Sequence, residues 1–384
     1  MVFGFILSAC SNMDAPSIET ANIKTMPNKT ITQAEAVKIA GNVLEKNTAS
    51  RASSEPSVQY VLNERSSRSI GSDTLAYVIN YPDDQGFVIV ASDRKVHPVL
   101  AFSKTGKFSF DNEIAKANFI DNIAAYMDNA DDDNIYNVTD NFFAGCYYTN
   151  PTIKISLGQS PPWNKYIIEE NPGCAIGCVT VAAALVMVHA KDELTYHGSH
   201  FQLNSIIEAI KKHQDEDYES ESDAPVYTYE QAADSMAKFM YWIGKDVGMR
   251  YNVGKSSASP DMAFNLCKKL GYTIPSDYVL YNEEAVVRYI KNGYIIFIYG
   301  TYPDGSPGGH TWVADGCIYC VDKNDPSIIL DAYIHCDWGW DGLSNGYFSG
   351  AVFSTYYADY KPYKYFAVQL KNSKPIVGPL LPIN

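Results

Sequence analysis

The sequence predicts an α+β chain with two units: a small α+β unit, then a larger one whose helical half precedes an antiparallel β half. Three observations predict this. The 384 residues exceed the roughly 100–200 of a single domain, so more than one core is expected. Hydrophobic residues make up 46% of the chain and charged residues 19%, a globular balance. The texture also changes along the chain: helical and strand-like runs alternate up to an acidic stretch near residue 130, then helices come first and strands follow.

The first element is a helix over about 32–47. Thr32 and Glu35 have capping-box spacing, and Ala34, Val37, Ile39, Ala40 and Val43 supply its apolar positions. Strands follow at 57–63, 74–81 and 86–93, the last two joined by the hairpin-like turn Pro-Asp-Asp-Gln. A second helix is predicted over 115–127. Together these elements make a unit over 30–149, and the larger unit occupies 150–384.

The larger unit opens with a loop rich in Pro and Asn over 158–173. The run "CVTVAAALVMVHA" (178–190) is apolar on nearly every side and rich in Ala for a strand, which predicts a buried helix beginning at or near Cys178. A further helix is predicted over 229–248, with Met236, Phe239, Met240, Ile243 and Val247 on one face. Strands are predicted at 293–300, 310–321, 328–338, 346–353 and 363–370. A helical half followed by a β half implies two subdomains with a cleft between them.

The balance of 30 basic against 44 acidic residues gives a net charge of −14, which repels phosphate backbones and excludes nucleic acid as an expected partner. The acidic runs 128–134 and 214–223 read as solvated loops. Residues 1–12, "MVFGFILSACSN", are similar to a bacterial lipoprotein signal in which Cys10 carries lipid, although the basic leader is missing and the apolar segment is short. Segment 1–29 is therefore expected to be a signal and polar tether, the protein to be exported, and its membrane contact to be a lipid on Cys10. No later stretch approaches the roughly 20 apolar residues of a membrane span. Eight cysteines are too sparse for a disulfide scaffold. With Cys10 lipidated, an odd number is left, so at least one thiol of a monomer stays unpaired.

Cys178 stands where chemistry is expected. A thiol at a helix N-terminus sees the positive end of the helix dipole, which favours the nucleophilic thiolate, and Gly177 permits a tight turn into the helix. The bland alternative is a small buried hydrophobe. Cys174, in the preceding loop, is the competing thiol. His310 follows 132 residues after Cys178, within the roughly 130–150 that separate the catalytic pair of papain-like enzymes. Asp337 is the candidate to hold the imidazole, with Trp338 beside it. Gln159, 19 residues before Cys178, offers an amide to an oxyanion. Cys317, Cys320, His335 and Cys336 contain metal-type donors. However, Cys317 and Cys320 are an odd number apart on a strand and face opposite sides, so burial or a disulfide is expected instead. His189 reads as a residue placed at a helix C-terminus. No metal and no cofactor are expected.

The strings "GQSPPWN", "GCVTVAAALVMVHA", "GGHTWVADG" and "HCDWGWDGLSNGYF" together resemble the streptopain family of papain-like bacterial cysteine peptidases. Residues 30–149, with "GFVIVASDRKVHPVLAFS", resemble that family's propeptide and related inhibitor domains. The resemblance implies a papain-like fold and a secreted endopeptidase made as a zymogen. Its own prodomain would be an intramolecular inhibitor and its substrates proteins or peptides, with an apolar residue preferred two positions before the scissile bond. It implies Cys178 as nucleophile, His310 as general base and acid, Gln159 as oxyanion donor and Trp338 as the shield of a His310–Asp337 hydrogen bond. Two departures stand out: Asp337 replaces the usual Asn, and Asp341 stands where Gly is usual. Prodomain release is expected between about 130 and 152. Two other readings share these residues: a transglutaminase-like acyl transferase, and an inactive surface binding or inhibitor protein of the same fold.

Overall fold

Thr32 caps the first helix, α1 (Gln33–Val43): its side-chain oxygen accepts the Glu35 N–H at 3.3 Å. The other half of the expected capping box is not made, because the Glu35 carboxylate turns to the Arg94 guanidinium instead. The structure is a computed structural model and describes residues 29–44, 55–63, 74–110, 113–133, 135–136, 143, 146–219, 227–275, 277–301, 308–322, 324–350 and 364–370. Cys10 and the expected signal lie outside the described residues, as do residues 45–47 of the predicted helix and 351–353 of a predicted strand.

Strands β1 (Ser57–Leu62), β2 (Thr74–Asn80), β3 (Phe87–Ala91) and β4 (Val99–Ser103) form an antiparallel meander. The β2–β3 turn takes Asp83 and Asp84 to φ of 54° and 52°, a conformation that a short polar side chain tolerates and that suits the strand twist. β4 escapes the sequence pattern because all five of its residues are buried and no alternation marks it. Helix α2 (Glu113–Asp128) follows.

After β5 (Tyr147–Thr149), which ends the smaller unit's span, the larger unit contains α3 (Lys165–Glu170), α4 (Cys178–Ala190), the hairpin β6 (Leu194–Tyr196) and β7 (Ser199–Phe201), and α5 (Leu203–Gln214). Then come α6 (Tyr229–Asp246), α7 (Pro260–Lys269), β8 (Val279–Leu280) and α8 (Glu283–Lys291). The chain continues through β9 (Tyr294–Thr301), β10 (Gly309–Val321), β11 (Ile329–Asp337), β12 (Gly346–Ser349) and β13 (Lys364–Gln369). In α4, Cys178 and His189 are half-buried and every other residue is buried, as the apolar run predicts. His189 uses the helix end as expected: its Nδ1 is 2.8 Å from the Leu185 carbonyl.

The strands of both units join in one 11-stranded sheet, ordered β1-β2-β3-β4-β12-β11-β10-β9-β13-β8, with β5 on β10. The join is β4 on β12, pairing Tyr347 with Phe102 and Phe348 with Ala101. Helices α4 to α7 cover one face of the larger unit's strands. On the opposite face a single core takes residues from α2 and β2–β4 as well as from α8 and β9–β11. A third cluster, under α1, also draws in Ile318 and Tyr333 of the larger unit. The two units therefore share cores. Cys146, just before β5, is disulfide-bonded to Cys320 at the end of β10, while Cys317 is buried and free, so the C-x-x-C pair divides between the two fates expected of it.

Candidate active site

Gly177 is the N-cap of α4 with φ of 92°, a conformation that favours glycine, and a Cβ there would press on the flexible end of Met249, 2.7 Å from its Cε. The next residue, Cys178, has its side chain at the helix N-terminus. Among the described residues it is the one free cysteine that is not buried. Its thiol lies against the backbone and hydroxyl of Thr311, and although the residue is partly exposed, desolvation of the sulfur itself pushes its pKa up rather than down. The helix-terminus field alone does not give a thiolate here, because desolvation outweighs it. Cys174 is buried, and its carbonyl accepts from Asn164 Nδ2 at 3.0 Å.

Gln159 is brought to the same place by its backbone. Its carbonyl accepts the Ile176 N–H at 3.0 Å, two residues before Cys178, and its half-buried side chain carries no hydrogen bond among the described residues. His310 arrives from the other half, as the second residue of β10. Gly309 before it has no room for a side chain, since a Cβ would meet the Gly300 carbonyl oxygen at 2.1 Å. His310 shares a face of β10 with Trp312, while Thr311 and Val313 turn to the α4 side.

The imidazole is buried, and its Nε2–H donates to the Trp338 carbonyl at 2.9 Å. Trp340 stacks on it at 4.8 Å between centroids, closer than Trp338 and Trp312, both at 6.2 Å. Burial pushes its pKa down to about 4. At neutral pH the structure thus holds both the imidazole and the thiol uncharged, and no hydrogen bond joins the two among the described residues.

The hydrogen bond expected between Asp337 and His310 is replaced. Asp337 Oδ1 accepts the Gly339 N–H at 2.9 Å, closing a turn two residues on, and the next peptide's carbonyl, that of Trp338, is left facing the imidazole. Trp338 accordingly contributes an acceptor, and the nearest stacking ring is that of Trp340. Asp337 is buried, and desolvation pushes its pKa up to about 7, with the Asp315 charge adding to the rise.

These two shifts act on stability in opposite senses. With its pKa raised to about 7, Asp337 keeps a proton that the unfolded chain loses above about 4, so stability falls as pH rises from about 4 to 7. The penalty, full above 7, is of the order of 4 kcal/mol. With its pKa lowered to about 4, His310 refuses a proton that the unfolded chain holds below about 6.5, so stability rises with pH between about 4 and 6.5. In that window the two slopes oppose. Asp337→Asn keeps the acceptor for Gly339 and removes the falling slope. The variant is expected to gain stability over wild type steadily from pH 4 to 7, read as urea midpoints across pH. A constant offset between the two proteins would contradict this.

Asp315 is a site residue that the sequence reading missed. It occupies a bulge of β10 between Ala314 and Gly316, is buried, and accepts the N–H groups of Thr152 and Ile153 at 2.7 and 2.6 Å. Its other oxygen takes His335 Nδ1 at 2.6 Å. His335 is thus engaged by a carboxylate rather than by the Cys317–Cys320 pair. The one local signal for this was Gly316, a glycine inside a strand pattern.

The Trp338 loop is gripped from the smaller unit. Ser344, buried with φ of 63°, donates its N–H to the Lys107 carbonyl and accepts the Ser109 N–H on its hydroxyl, both at 3.1 Å. Its own carbonyl accepts the Trp338 indole N–H at 3.1 Å. A chain of contacts therefore runs from segment 107–109 through Ser344 and Trp338 to His310.

A model of the peptidase C10 family matches residues 157–348, and a model described as Spi protease inhibitor matches residues 28–130. Streptopain of Streptococcus pyogenes is 26% identical, over 82% of this chain and 83% of its own length, and the serotype M1 form matches to the same extent. Among solved structures, a fragment of Prevotella intermedia prointerpain A superposes with a TM-score of 0.52 at 17% identity. That superposition covers 81% of this chain and 98% of the other and shows a common fold.

Proposed function

The chain belongs to the peptidase C10 family and is a cysteine-type peptidase with an N-terminal inhibitor-like domain, and from that premise we propose an endopeptidase zymogen worked by Cys178 and His310. The observation that carries the assignment is the convergence at Cys178: the thiol at the N-terminus of a buried helix, Gln159 tied to the loop two residues before it, and the residue after His310 lying against it.

In the active form, the Cys178 thiol passes its proton to His310, and the resulting thiolate attacks a peptide carbonyl. The Gln159 amide and the Cys178 backbone N–H receive the developing oxyanion. The His310 imidazolium protonates the leaving amine and then, as the neutral base, takes a proton from the water that hydrolyses the thioester. The proton transfer lies within the pair and takes none from solvent, and it requires His310 to leave the Trp338 carbonyl and reach the thiol.

The prodomain, over 30–149, is proposed as the intramolecular inhibitor, and 150–384 as the peptidase. Support comes from the grip of Lys107 and Ser109 on Ser344, which stabilises the Trp338 carbonyl against His310. Export, with lipid on Cys10, is proposed from the leader-like segment alone. Among the described residues no helix is long and apolar enough to cross a membrane.

Segment 146–153 is fastened to the larger unit three times over, by the Cys146–Cys320 disulfide, by β5 on β10, and by Asp315 on the Thr152 and Ile153 N–H groups. A protease needs a stretch of chain free of such pairing. Cleavage is therefore expected before Cys146, within the earlier part of the 130–152 window. Mass spectrometry of wild type and Cys178→Ala incubated with reductant tests the proposal. Wild type should shorten to a fragment that still contains Cys146, and the variant should stay intact. If neither chain shortens, and neither hydrolyses peptides after an added protease removes the prodomain, the reading fails in favour of an inactive member of the fold.

A further inference from the structure

Asp341 holds a backbone conformation, φ of 52°, that side chains rarely adopt, and although it lies at the surface its carboxylate turns inward. Its Oδ1 accepts the indole N–H of the buried Trp163 at 2.6 Å. Its backbone N–H donates to the Leu157 carbonyl at 3.0 Å. Its Oδ2 fills the space a side chain on residue 158 would need, since a Cβ there would lie 1.9 Å away. Gly158 is therefore set by the Asp341 carboxylate, with no demand from its own φ. These three contacts fall at residues 157, 158 and 163, on both sides of Gln159. On the other side, Asp341 follows directly on Trp340, the ring stacked on His310.

We propose that Asp341 is a positioning residue, a clamp that fixes the Gln159 segment against the Trp338–Trp340 loop and so sets the distance between the oxyanion donor and the imidazole. The clamp rests on the peptidase reading above and adds to it. It joins a loop of the helical half to a loop of the β half. Without it, Gln159 is held through its own carbonyl on Ile176 but loses its register against His310. An oxyanion donor works only when fixed before the charge develops, so loosened register lowers turnover without weakening substrate binding in the ground state. Glycine, the residue that the family resemblance leads one to expect at 341, accepts the same φ but offers no carboxylate, so the clamp belongs to this chain.

The experiment uses the full-length chain, folded intact and then activated by an added protease. Asp341→Gly preserves the backbone conformation and removes the clamp, Trp163→Phe removes its donor, and Asp341→Asn retains an acceptor for the indole. Asp341→Gly and Trp163→Phe are expected to lower kcat roughly ten- to a hundredfold with KM little changed, the scale of a misplacement of about 1 Å. Asp341→Asn is expected to restore most of the loss. Alkylation of Cys178 by iodoacetamide passes through no oxyanion, so its rate should stay within about twofold of wild type in all three. Combining Asp341→Gly with Gln159→Ala should cost no more than Gln159→Ala alone. Unchanged kcat in Asp341→Gly, alkylation falling in step with kcat, or Asp341→Asn no better than glycine would each overturn the clamp. In all of those cases wild type is active. A wild type without turnover, equal to Cys178→Ala, would instead overturn the peptidase reading and the clamp with it.

Discussion

Cys178→Ala is expected to lose peptide hydrolysis by on the order of 10⁴-fold or more once the prodomain has been removed by an added protease, the scale seen when a catalytic nucleophile is deleted. Cys174→Ala, four residues away, should retain turnover. Both thiols precede or begin the same helix, and the contrast between them is physical. Cys178 is the first residue of α4 and half-exposed, with Thr311 against its sulfur and the Gln159 carbonyl bonded to the chain two residues before it. Cys174 is buried, and its backbone is committed to Asn164. The measure is kcat/KM on a peptide substrate for both variants after identical processing. A Cys174→Ala protein as inactive as Cys178→Ala, with its fold intact by circular dichroism, would move the nucleophile or extend it to a pair.

Parts of this site were legible in the sequence because they rest on local rules. An apolar run of thirteen residues, too long and too rich in Ala for a buried strand, reads as a buried helix, and the glycine before it marks where it starts. That places Cys178 without any knowledge of the fold. The His310 strand was legible for a similar reason, since two glycines interrupt the pattern where β10 begins. The partner of His310 was not. Asp337 is an attractive acceptor on paper, but every residue carries a carbonyl, and which one meets the imidazole depends on a turn closed by Gly339. Trp340 outranks Trp338 as the stacking ring for the same reason: loop geometry decides between two indoles two residues apart.

What stayed hidden lies in pairings between distant residues. β4 has no alternation because both of its faces are covered, and its partner β12 lies more than two hundred residues downstream. That one pairing turns two expected units into a single sheet with shared cores. The Cys146–Cys320 bond and the Asp315 contacts with Thr152 and Ile153 are likewise long-range, and cysteine counting narrows such pairings without choosing among them. Asp341 was visible as a departure, and its meaning came from Gly158 and Trp163, which no spacing rule connects to it.

His310→Ala in the mature enzyme is expected to lower turnover by about 10²–10⁴-fold, the usual contribution of a positioned acid and base, and to change the pH profile of Cys178 alkylation. The prodomain-bearing structure shows why the profile is informative. Burial drives the thiol up and holds the imidazole down at about 4, so both are uncharged across the physiological range. In that state the alkylation rate should climb tenfold per pH unit up to and beyond pH 8.5, the ordinary thiol value, because only the scarce thiolate reacts. If prodomain removal frees the Ser344 grip and lets His310 take the thiol proton, the thiolate becomes the main species well below pH 7. The rate should then be nearly level between about pH 5 and 8. A low-pKa thiolate is also a weaker nucleophile, which offsets part of the gain, so a rise of at least about tenfold at pH 5 is the expected net effect of cleavage. His310→Ala should abolish that rise and return the cleaved protein to the steep profile, since an Ala side chain accepts no proton. A level profile in cleaved His310→Ala would mean that the α4 terminus alone holds the thiolate and that the histidine serves only to protonate the leaving group. A steep profile in cleaved wild type would mean that latency does not reside in the charge state of the pair.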